Sequence, residues 1–223
     1  MKVGALIPCR KGSKGIPGKN FKLFNGKPLT QWTIDAAQQA GIFSKIIVSS
    51  DGGAGGLLLR EGGVDVLDNK RPRQLSTDDA RLDPLLWYYA EHYEDTELWC
   101  LLQPTSPLRT AGDIKAAYKM AKAAKYDSVV SVTPDPCMCW VDNAVGIKGK
   151  DHPIATYHPH KRPNRQDRKD WYKENGAIYF TKRYVLESTR CRLGGAIGLY
   201  VMPKERSFEI DDQFDWKIAE GLM

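Results

Sequence analysis

The sequence VGALIP at Val3–Pro8 passes directly into CRKGSKGIPGKN at residues 9–20, and this junction decides the fold. A short, unbroken apolar run is typical of a strand that is buried on both faces. The loop that follows is rich in glycine and lysine. Ligands of open α/β sheets bind at the carboxyl ends of the strands. We therefore expect the first strand of a parallel sheet, followed by a long functional loop.

Strand-like and helix-like segments alternate along most of the chain. The strand-like segments are short and rich in β-branched residues or leucine, and they lie at residues 45–50, 64–67, 98–103, 128–132, 176–181 and 196–202. The helix-like segments lie at residues 30–40, 81–93, 111–124 and 212–222. This alternation predicts right-handed βαβ units and an α/β fold with a mainly parallel sheet.

The helix predicted at residues 111–124 has a clear start and a clear buried face. Thr110 precedes it and is a residue type that caps helices. Ile114, Ala117, Tyr118 and Ala121 follow at spacings of three and four residues. Such a stripe is suited to cover one face of a sheet.

Two other segments give less regular patterns. Residues 52–63 lie where the alternation calls for a helix, but six of these twelve residues are glycine. Glycine costs about 1 kcal/mol relative to alanine inside a helix, so we expect only a short or frayed helix there. The predicted final helix has Phe214, Ile218 and Leu222 on one face.

Composition limits the class of protein. The chain has 223 residues, of which 42% are hydrophobic and 27% charged, as in an ordinary globular domain. No run approaches the roughly 18 apolar residues of a membrane span, and the first residues lack the pattern of a signal peptide. The five cysteines form no disulfide framework. We therefore expect a cytoplasmic protein with reduced thiols, and the net charge of +6 suggests an anionic partner.

Residues 134–172 differ in texture from the rest of the chain. Prolines, aromatic residues and a mixed-charge run replace the regular alternation. Structureless loops longer than about 12 to 15 residues are uncommon. We predict one domain over residues 1–223 with an inserted lobe or dimerisation arm at about 134–172. The basic run inside this segment is interrupted by acidic residues and resembles no nucleic-acid module, so we expect neither a nucleic-acid nor a membrane partner.

The loop at residues 9–20 has the composition of a phosphate-binding loop. Glycine allows backbone N–H groups to approach phosphate oxygens, and cations for a triphosphate are supplied by Arg10, Lys11, Lys14 and Lys19. The glycines at positions 12, 15 and 18 fit neither the Walker A nor the GxGxxG pattern. A solvated basic loop is the alternative.

Two further segments carry polar side chains at predicted strand ends. Arg71 can donate to a base carbonyl, and Ser76 or Thr77 can bond an amino group, but the same turn can instead cap the next helix through Thr77 or Asp78. Gln103 ends a buried strand before two prolines, at the edge where ligands bind.

Glu209 and Asp211 form a candidate metal site near the end of the chain. Carboxylates two residues apart on an extended segment project to the same side. Mg²⁺ binds one or two protein oxygens together with substrate phosphates. The alternative is that Asp211 or Asp212 only caps the final helix, and both roles are compatible.

Five segments taken together resemble one enzyme family. IPCRKGSKGIPGKN, RPRQLSTDDA, LLQPTSPLR, ENGAIYF and FEIDDQFDW are similar to successive signature segments of acylneuraminate cytidylyltransferases, the CMP-sialic acid synthetases. The resemblance spans nearly the whole chain. It implies a Rossmann-like, three-layer nucleotidyltransferase fold with an inserted dimerisation element, hence a homodimer. It also implies Mg²⁺-dependent transfer of CMP from CTP to a nine-carbon 2-keto acid sugar, with release of pyrophosphate.

The resemblance also implies roles for individual residues. Those that hold the triphosphate would be Arg10, Lys14 and Lys19, with Ser13 and Asn20 also contacting the nucleotide. Those that bind cytosine would be Arg71, Ser76 and Thr77. Those that hold the acidic sugar would be Gln103, Arg165, Asn175 and Tyr179. Asp211, with Glu209, would bind Mg²⁺, and Asp211 would act in catalysis together with Arg10, Lys14 and Lys19.

The sequence departs from the family pattern at two places. Glu209 stands where the family more usually has aspartate. Residues 136–142 replace an HHPxK-like element of the sugar pocket, so the acceptor can be a related nonulosonic acid, such as legionaminic or pseudaminic acid. Two alternatives stay open: a synthetase for the eight-carbon acid Kdo, and a nucleotide-binding homologue without activity.

Overall fold

The computed structural model describes residues 1–10, 12–13, 15–51, 66–77, 80–142 and 153–223. These residues form two compact units. The first unit comprises Met1–Val132 and Glu174–Met223, and the second comprises Thr133–Lys173. The segment predicted as a short or frayed helix at residues 52–63 lies outside the described residues.

A sheet of seven strands organises the described part of the chain. Its strands are β1 (Val3–Pro8), β4 (Lys45–Ser50), β5 (Val66–Lys70), β6 (Leu98–Leu101), β7 (Ser128–Pro134), β10 (Tyr172–Lys182) and β11 (Ile197–Val201), and two short strand pairs are β2 (Leu23–Phe24) with β3 (Lys27–Pro28) and β8 (Trp140–Val141) with β9 (Ile154–Ala155). The order across the large sheet is β11-β7-β10-β6-β1-β4-β5. β1 pairs in parallel with β4 and β6, and β4 with β5 and β7 with β11 are also parallel, whereas β10 runs antiparallel to β6. The prediction of a mainly parallel sheet is confirmed.

Helices cover both faces of this sheet. They are α1 (Leu29–Ala40), α2 (Leu82–His92), α3 (Ala111–Lys122), α4 (Arg183–Thr189) and α5 (Gln213–Leu222). Buried side chains of α1 and α3 share one core cluster with β1, and those of α2 and α4 share a second cluster on the opposite face. Alternate residues of β1 enter the two clusters, as Ala5 and Leu6 do, because successive side chains of a strand point to opposite faces. The result is a three-layer α/β fold. None of the helices in the described ranges is long and apolar enough to cross a membrane.

The predicted start and buried face of α3 are confirmed. The Thr110 side chain accepts a hydrogen bond from the backbone N–H of Asp113, and the Asp113 carboxylate accepts one from the backbone N–H of Thr110, which is a complete capping box. Ile114, Ala117 and Ala121 are buried, and Tyr118 packs against the same cluster. The N-cap role considered for Asp212 is also confirmed, since its side chain accepts from the N–H groups of Phe214 and Asp215.

Two expectations about helix detail are wrong, one for α2 and one for α5. α2 begins at Leu82 with Arg81 at the N-cap position and no side-chain cap, so the alternative that Thr77 caps it is wrong, while Asp78 lies outside the described residues. Pro84 lies in the first turn of α2. Backbone N–H groups in the first turn have no partner within the helix, so the missing N–H of proline costs no helical hydrogen bond there.

On α5 the buried side chains are Trp216 and Ala219, whereas Phe214 is 71% exposed. Trp216 packs edge-on against Phe24, with ring centroids 5.2 Å apart, and this contact determines which face of the helix is buried. The helix-like pattern also failed to indicate α4, which is only seven residues long.

The second unit is built around Arg168. This side chain is buried and donates hydrogen bonds to the backbone oxygens of Cys137 and Thr156, at 3.0 and 3.4 Å. Its guanidinium lies 3.5 Å from the ring centroid of Trp171, a cation–π contact. The strands β8 and β9 pair antiparallel in this unit.

Candidate active site

The glycine-rich loop after β1 is anchored at both ends by hydrogen bonds. The backbone N–H of Cys9 donates to the Ser49 carbonyl at 2.9 Å. The Asn20 side-chain amide donates to the Arg10 carbonyl at 2.8 Å, and the Asn20 carbonyl accepts from the Thr30 hydroxyl at 2.7 Å. These bonds therefore fix the start of the loop to β4 and its end to α1.

The middle of this loop lies against residues 210–211, so the first and the last sequence motifs meet. A Cβ added to Gly15 would stand 2.2 Å from the Asp211 carbonyl oxygen, which leaves room for glycine alone. The Lys19 ammonium donates to the Ile210 carbonyl at 2.5 Å and lies 3.8 Å from an Asp211 carboxylate oxygen. Burial lowers the pKa of Lys19, and the charges of Asp211 and Glu209 oppose this shift.

Glu209 lies beside the end of β6. Its carboxylate accepts a hydrogen bond from the Thr105 hydroxyl at 3.2 Å. The Gln103 amide donates to the Gly176 carbonyl at 3.0 Å. Gly176 has φ +66°, and a Cβ there would lie 2.7 Å from the Glu209 carboxylate. Glycine at 176 thus allows Gln103 and Glu209 to approach the same stretch of backbone.

Arg71 is held at the ends of β4 and β5. Its side chain is 6% exposed. Its Nε and Nη2 donate to the hydroxyl and the carbonyl of Ser49, at 3.4 and 3.2 Å. Burial lowers the pKa of Arg71, and the charge of Asp51 opposes that shift. A guanidinium retains its charge at neutral pH in such a position.

These residues surround one cavity of about 340 Å³ at the carboxyl edge of the sheet. Its lining combines cations, carboxylates, amides and hydroxyls from all four motifs: Arg10, Ser13, Lys19, Asn20, Arg71, Thr77, Gln103, Thr105, Glu209 and Asp211. The position matches the rule that ligands of open α/β sheets bind beyond the carboxyl ends of the strands. Its chemistry suits an anionic ligand with a polar ring.

Two of the predicted site residues, Ser76 and Arg165, are not part of the described lining of this cavity. The Ser76 hydroxyl donates to the Pro72 carbonyl at 2.9 Å. Its neighbour Thr77 does line the cavity. Arg165 belongs to the second unit, where it lines a separate cavity of about 480 Å³ together with Arg168 and Trp171. Lys14 lies outside the described residues.

Asn175 and Tyr179 are buried in the sheet and are not part of the described lining. The Asn175 amide accepts from the Ser131 hydroxyl at 2.6 Å and donates to the Ser207 hydroxyl at 2.9 Å. The Tyr179 hydroxyl donates to Glu174 at 2.9 Å, and burial together with that carboxylate raises its pKa. Both side chains therefore use polar atoms in hydrogen bonds within the protein, and direct contact with the sugar stays a prediction.

Arg109 is a supporting residue that the sequence did not single out. It is buried, and it donates to the carbonyls of Gln103 and Ala177 and to the hydroxyl of Thr33, at 3.2, 2.7 and 2.6 Å. Burial lowers its pKa to about 10, so it stays charged at neutral pH. It fixes the backbone that presents Gln103. The only signal in the sequence was an arginine placed directly after the proline turn.

Glu209 and Asp211 offer carboxylate oxygens as ligands for a cation at the edge of the cavity. Hard oxygen donors suit Mg²⁺. Within the described residues, no group of three or more histidine, cysteine, aspartate or glutamate side chains is placed to hold a metal by itself. Asp211 is also highly exposed, with 77% of its side chain accessible. The pair fits a cation that is shared with substrate phosphates and does not fit a closed structural site.

The fold and this cavity together define an α/β protein with a strongly polar ligand site at the carboxyl edge of its sheet. The family model described as cytidylyltransferase matches residues 4–222, and the chain belongs to that family.

Curated relatives agree with this assignment. The chain is 35% identical over 223 residues to the N-acylneuraminate cytidylyltransferase of Escherichia coli O18:K1:H7, covering 98% of this chain and 51% of that protein. It is 32% identical over 218 residues to N-acylneuraminate cytidylyltransferase A of Danio rerio, covering 98% of this chain and 50% of that protein. The chain thus spans about half the length of the curated relatives that it matches.

Solved structures confirm the predicted fold class. The structure of CMP:2-keto-3-deoxy-manno-octonic acid synthetase complexed with CTP matches with a TM-score of 0.70 at 17% identity, covering 100% of this chain and 98% of that one. The 4-diphosphocytidyl-2C-methyl-D-erythritol synthase of Anaerococcus prevotii matches with a TM-score of 0.67 at 11% identity, covering 99% of this chain and 97% of that one. At these identities the likeness concerns the fold.

Proposed function

We propose that this protein transfers CMP from CTP to the anomeric hydroxyl of a nine-carbon 2-keto acid sugar and releases pyrophosphate. The observation that carries the proposal is the meeting of the glycine-rich loop with residues 209–211, which brings Lys19, Glu209 and Asp211 to one cavity. The names of the curated relatives support the sugar class. In the reaction the hydroxyl oxygen bonds to the α-phosphorus, the bond to the β-phosphate oxygen breaks, and the hydroxyl proton is lost.

The two ends of the cavity have separate tasks in this proposal. We call Arg10, Ser13, Lys19 and Asp211 the phosphate end, and Arg71 with Thr77 the base end. At the phosphate end, fixed cations stabilise the charge that develops on the transferred group and on the leaving pyrophosphate. At the base end, the Arg71 guanidinium donates to the cytosine carbonyl. Lys14 remains part of the phosphate end as a prediction.

The carboxylates of Glu209 and Asp211 would hold Mg²⁺. When bound, the ion polarises the α-phosphate and favours ionisation of the attacking hydroxyl. Lys19 orients this pair, because its ammonium bonds the carbonyl of Ile210, the residue between them. Gln103 lies close to Glu209 and would contact the sugar.

The second unit would contribute to the acceptor and to assembly. Arg165 is proposed to pair with the sugar carboxylate, and the segment 134–172 to act as a dimerisation arm in a homodimer. Asn175 and Tyr179 would stabilise β10 through their hydrogen bonds within the protein, and their contact with the sugar stays a prediction. The cytoplasmic location stays a prediction from the sequence.

The deciding experiment is a pyrophosphate-release assay with Mg²⁺, CTP and a panel of sugar acids. The panel contains N-acetylneuraminic, legionaminic, pseudaminic and Kdo acids, with ATP, GTP and UTP as nucleotide controls. We expect release with CTP and one nine-carbon acid. Release with Kdo alone would favour the eight-carbon alternative. CTP binding without turnover on any acid would favour the homologue without activity.

Asp211→Asn tests the metal assignment. The variant is expected to lose about 10²-fold or more in kcat, and added Mg²⁺ should not restore it, because the amide is a poor ligand for a hard cation. Asp212→Asn is the matched control: it removes the adjacent charge, while asparagine still caps α5. Wild-type activity of Asp211→Asn, or equal losses in the two variants, would contradict the assignment.

A further inference from the structure

Tyr89 reaches the base end of the cavity from the middle of α2. Its ring is buried in the core cluster between α2 and the sheet. Its hydroxyl donates to the Ser49 hydroxyl oxygen at 3.0 Å. Ser49 is itself fully buried near the end of β4. A core tyrosine thus places its one polar atom on the residue that holds Arg71.

Ser49 links this hydroxyl to Arg71 through two atoms. Its hydroxyl oxygen accepts from Arg71 Nε at 3.4 Å, and its carbonyl accepts from Arg71 Nη2 at 3.2 Å. The Nε and Nη2 atoms form one edge of the planar guanidinium. That edge faces Ser49, so the opposite edge, formed by Nη1 and Nη2, is the one that can meet a ligand in the cavity.

The Tyr89 hydroxyl decides how firmly this geometry is held. A serine hydroxyl rotates freely unless its partners fix it. Burial raises the pKa of Tyr89, so the phenol keeps its proton and remains a donor at neutral pH. With the phenol donating, the lone pairs of the Ser49 oxygen are directed to Tyr89 and Arg71. Without it, the hydroxyl can turn its own proton towards the guanidinium, which would repel that edge.

We propose that Tyr89 is a positioning residue for the nucleotide base, acting through Ser49 on the orientation of Arg71. This inference rests on the proposed use of CTP. This positioning role differs from a general packing role because it depends only on the hydroxyl group of Tyr89 and not on its buried ring. A chain of hydrogen bonds would then connect the base end of the cavity, at Arg71, through Ser49 to Tyr89 on α2.

The test compares Tyr89→Phe with Tyr88→Phe. Both changes remove one phenol oxygen from the same helix, and the Tyr88 ring lies 5.2 Å from that of Tyr89. CTP binding is measured by calorimetry on the full chain, and tripolyphosphate serves as a probe that occupies the phosphate end without a base. We expect CTP to bind Tyr89→Phe about three- to tenfold more weakly, with unchanged tripolyphosphate binding. In turnover, KM for CTP should rise by the same factor while kcat and KM for the sugar stay constant.

A second variant protects the test against misfolding. Ser49→Ala removes the linking hydroxyl but keeps the carbonyl that accepts from Arg71 and from the Cys9 N–H. It should reproduce the loss of CTP affinity, and the double variant with Tyr89→Phe should be no worse than Ser49→Ala alone, because both act on one link. CTP affinity of Tyr89→Phe equal to that of Tyr88→Phe would overturn the inference, as would a parallel loss for tripolyphosphate. No CTP binding by the wild type would instead overturn the proposed function.

Discussion

The two ends of the cavity are built differently. At the base end, Arg71 is 6% exposed and bonded to Ser49 beneath it. At the phosphate end, Lys19 is buried, but the Asp211 carboxylate that it faces is 77% exposed and 3.8 Å away. The base end is therefore held in place by hydrogen bonds within the protein. At the phosphate end the buried lysine is bonded to the Ile210 carbonyl, and we expect the exposed carboxylate to gain a fixed position when it binds a cation together with phosphates.

Loss of the buried cation should do the greatest damage to the phosphate end. Lys19→Met keeps most of the side-chain volume but removes the ammonium that bonds the Ile210 carbonyl. We expect kcat/KM to fall about 10²- to 10³-fold, the range found when a preorganised electrostatic group is deleted. Steady-state kinetics with CTP and the sugar acid measure it.

Lys22→Met is the control for this change. Lys22 is exposed, and its ammonium lies 4.8 Å from the ring of Trp216, outside the described cavity lining. Its kinetics should stay within about twofold of the wild type. Equal losses in the two variants would mean that Lys19 acts only through stability.

The close contact of Gly15 with residue 211 gives the next largest effect. In Gly15→Ala the new Cβ would meet the Asp211 carbonyl at 2.2 Å, so the loop must move away from residues 210–211. A displacement of about 1 Å near reacting groups can cost 10²-fold, and we expect kcat/KM to fall by about 10- to 100-fold. In Gly12→Ala an added Cβ meets nothing within 4 Å among the described residues, and the loss should be far smaller. Similar kinetics for the two variants would refute the contact.

Three residues before Glu209, Arg206 forms an ion pair with the buried Asp113 of α3. Arg206 donates through Nε and Nη2 to the two oxygens of Asp113, both at 2.9 Å. Burial alone would raise the pKa of Asp113, but its hydrogen bonds from Arg206, Thr110 and Tyr200 lower it overall. We expect Asp113→Asn to lose about 2–3 kcal/mol in the free energy of unfolding, less than for a fully buried pair because Arg206 is partly exposed.

The same pair predicts a pH dependence. A carboxylate with a lowered pKa stabilises the fold above its unfolded pKa of about 3.9, and this contribution disappears as the pH falls through the folded value. The stability difference between wild type and Asp113→Asn should therefore be full at pH 6 and shrink below about pH 4. Urea denaturation at several pH values measures it. A difference that does not change with pH would show that the charge of Asp113 is not involved.

The sequence predicted the strands of the sheet, but it did not predict the hydrogen bonds that surround the candidate site residues. β1 and β4 were predicted at their observed bounds, because buried strands need unbroken apolar runs. An unbroken apolar run does not indicate which of the polar residues that follow it face a cavity. Asn175 and Tyr179 lie on β10, where the sequence pattern gives no sign that their polar atoms bond within the protein.

Contacts between distant segments were also hidden from the sequence. The role of Gly15 depends on a carbonyl almost 200 residues away along the chain, and that of Arg109 on two carbonyls, one just after β6 and one within β10. Single-residue patterns carry no information about such partners. The loop at residues 9–20 and the pair Glu209 and Asp211 were nevertheless each selected from composition alone, and described residues of both line the same cavity.

The smallest predicted effect concerns Thr105, which bonds Glu209 at the edge of the phosphate end. Thr105→Val keeps the shape and the backbone carbonyl that accepts from the Ile210 N–H at 2.8 Å, and it removes only the hydroxyl bonded to the carboxylate at 3.2 Å. Because Glu209 remains packed against Gly176 and Gln103, it should keep its place but hold it less firmly. We expect the Mg²⁺ concentration for half-maximal activity to rise about two- to fivefold, as for one hydrogen bond that competes with water. Thr105→Ser should restore the wild-type value; a loss in the serine variant as large as in the valine variant would mean that the methyl group matters and the hydroxyl does not. A rise beyond about tenfold in the half-maximal Mg²⁺ concentration of Thr105→Val would instead mean that Glu209 is held as firmly by the protein as Arg71 is. The contrast between the two ends of the cavity would then be wrong.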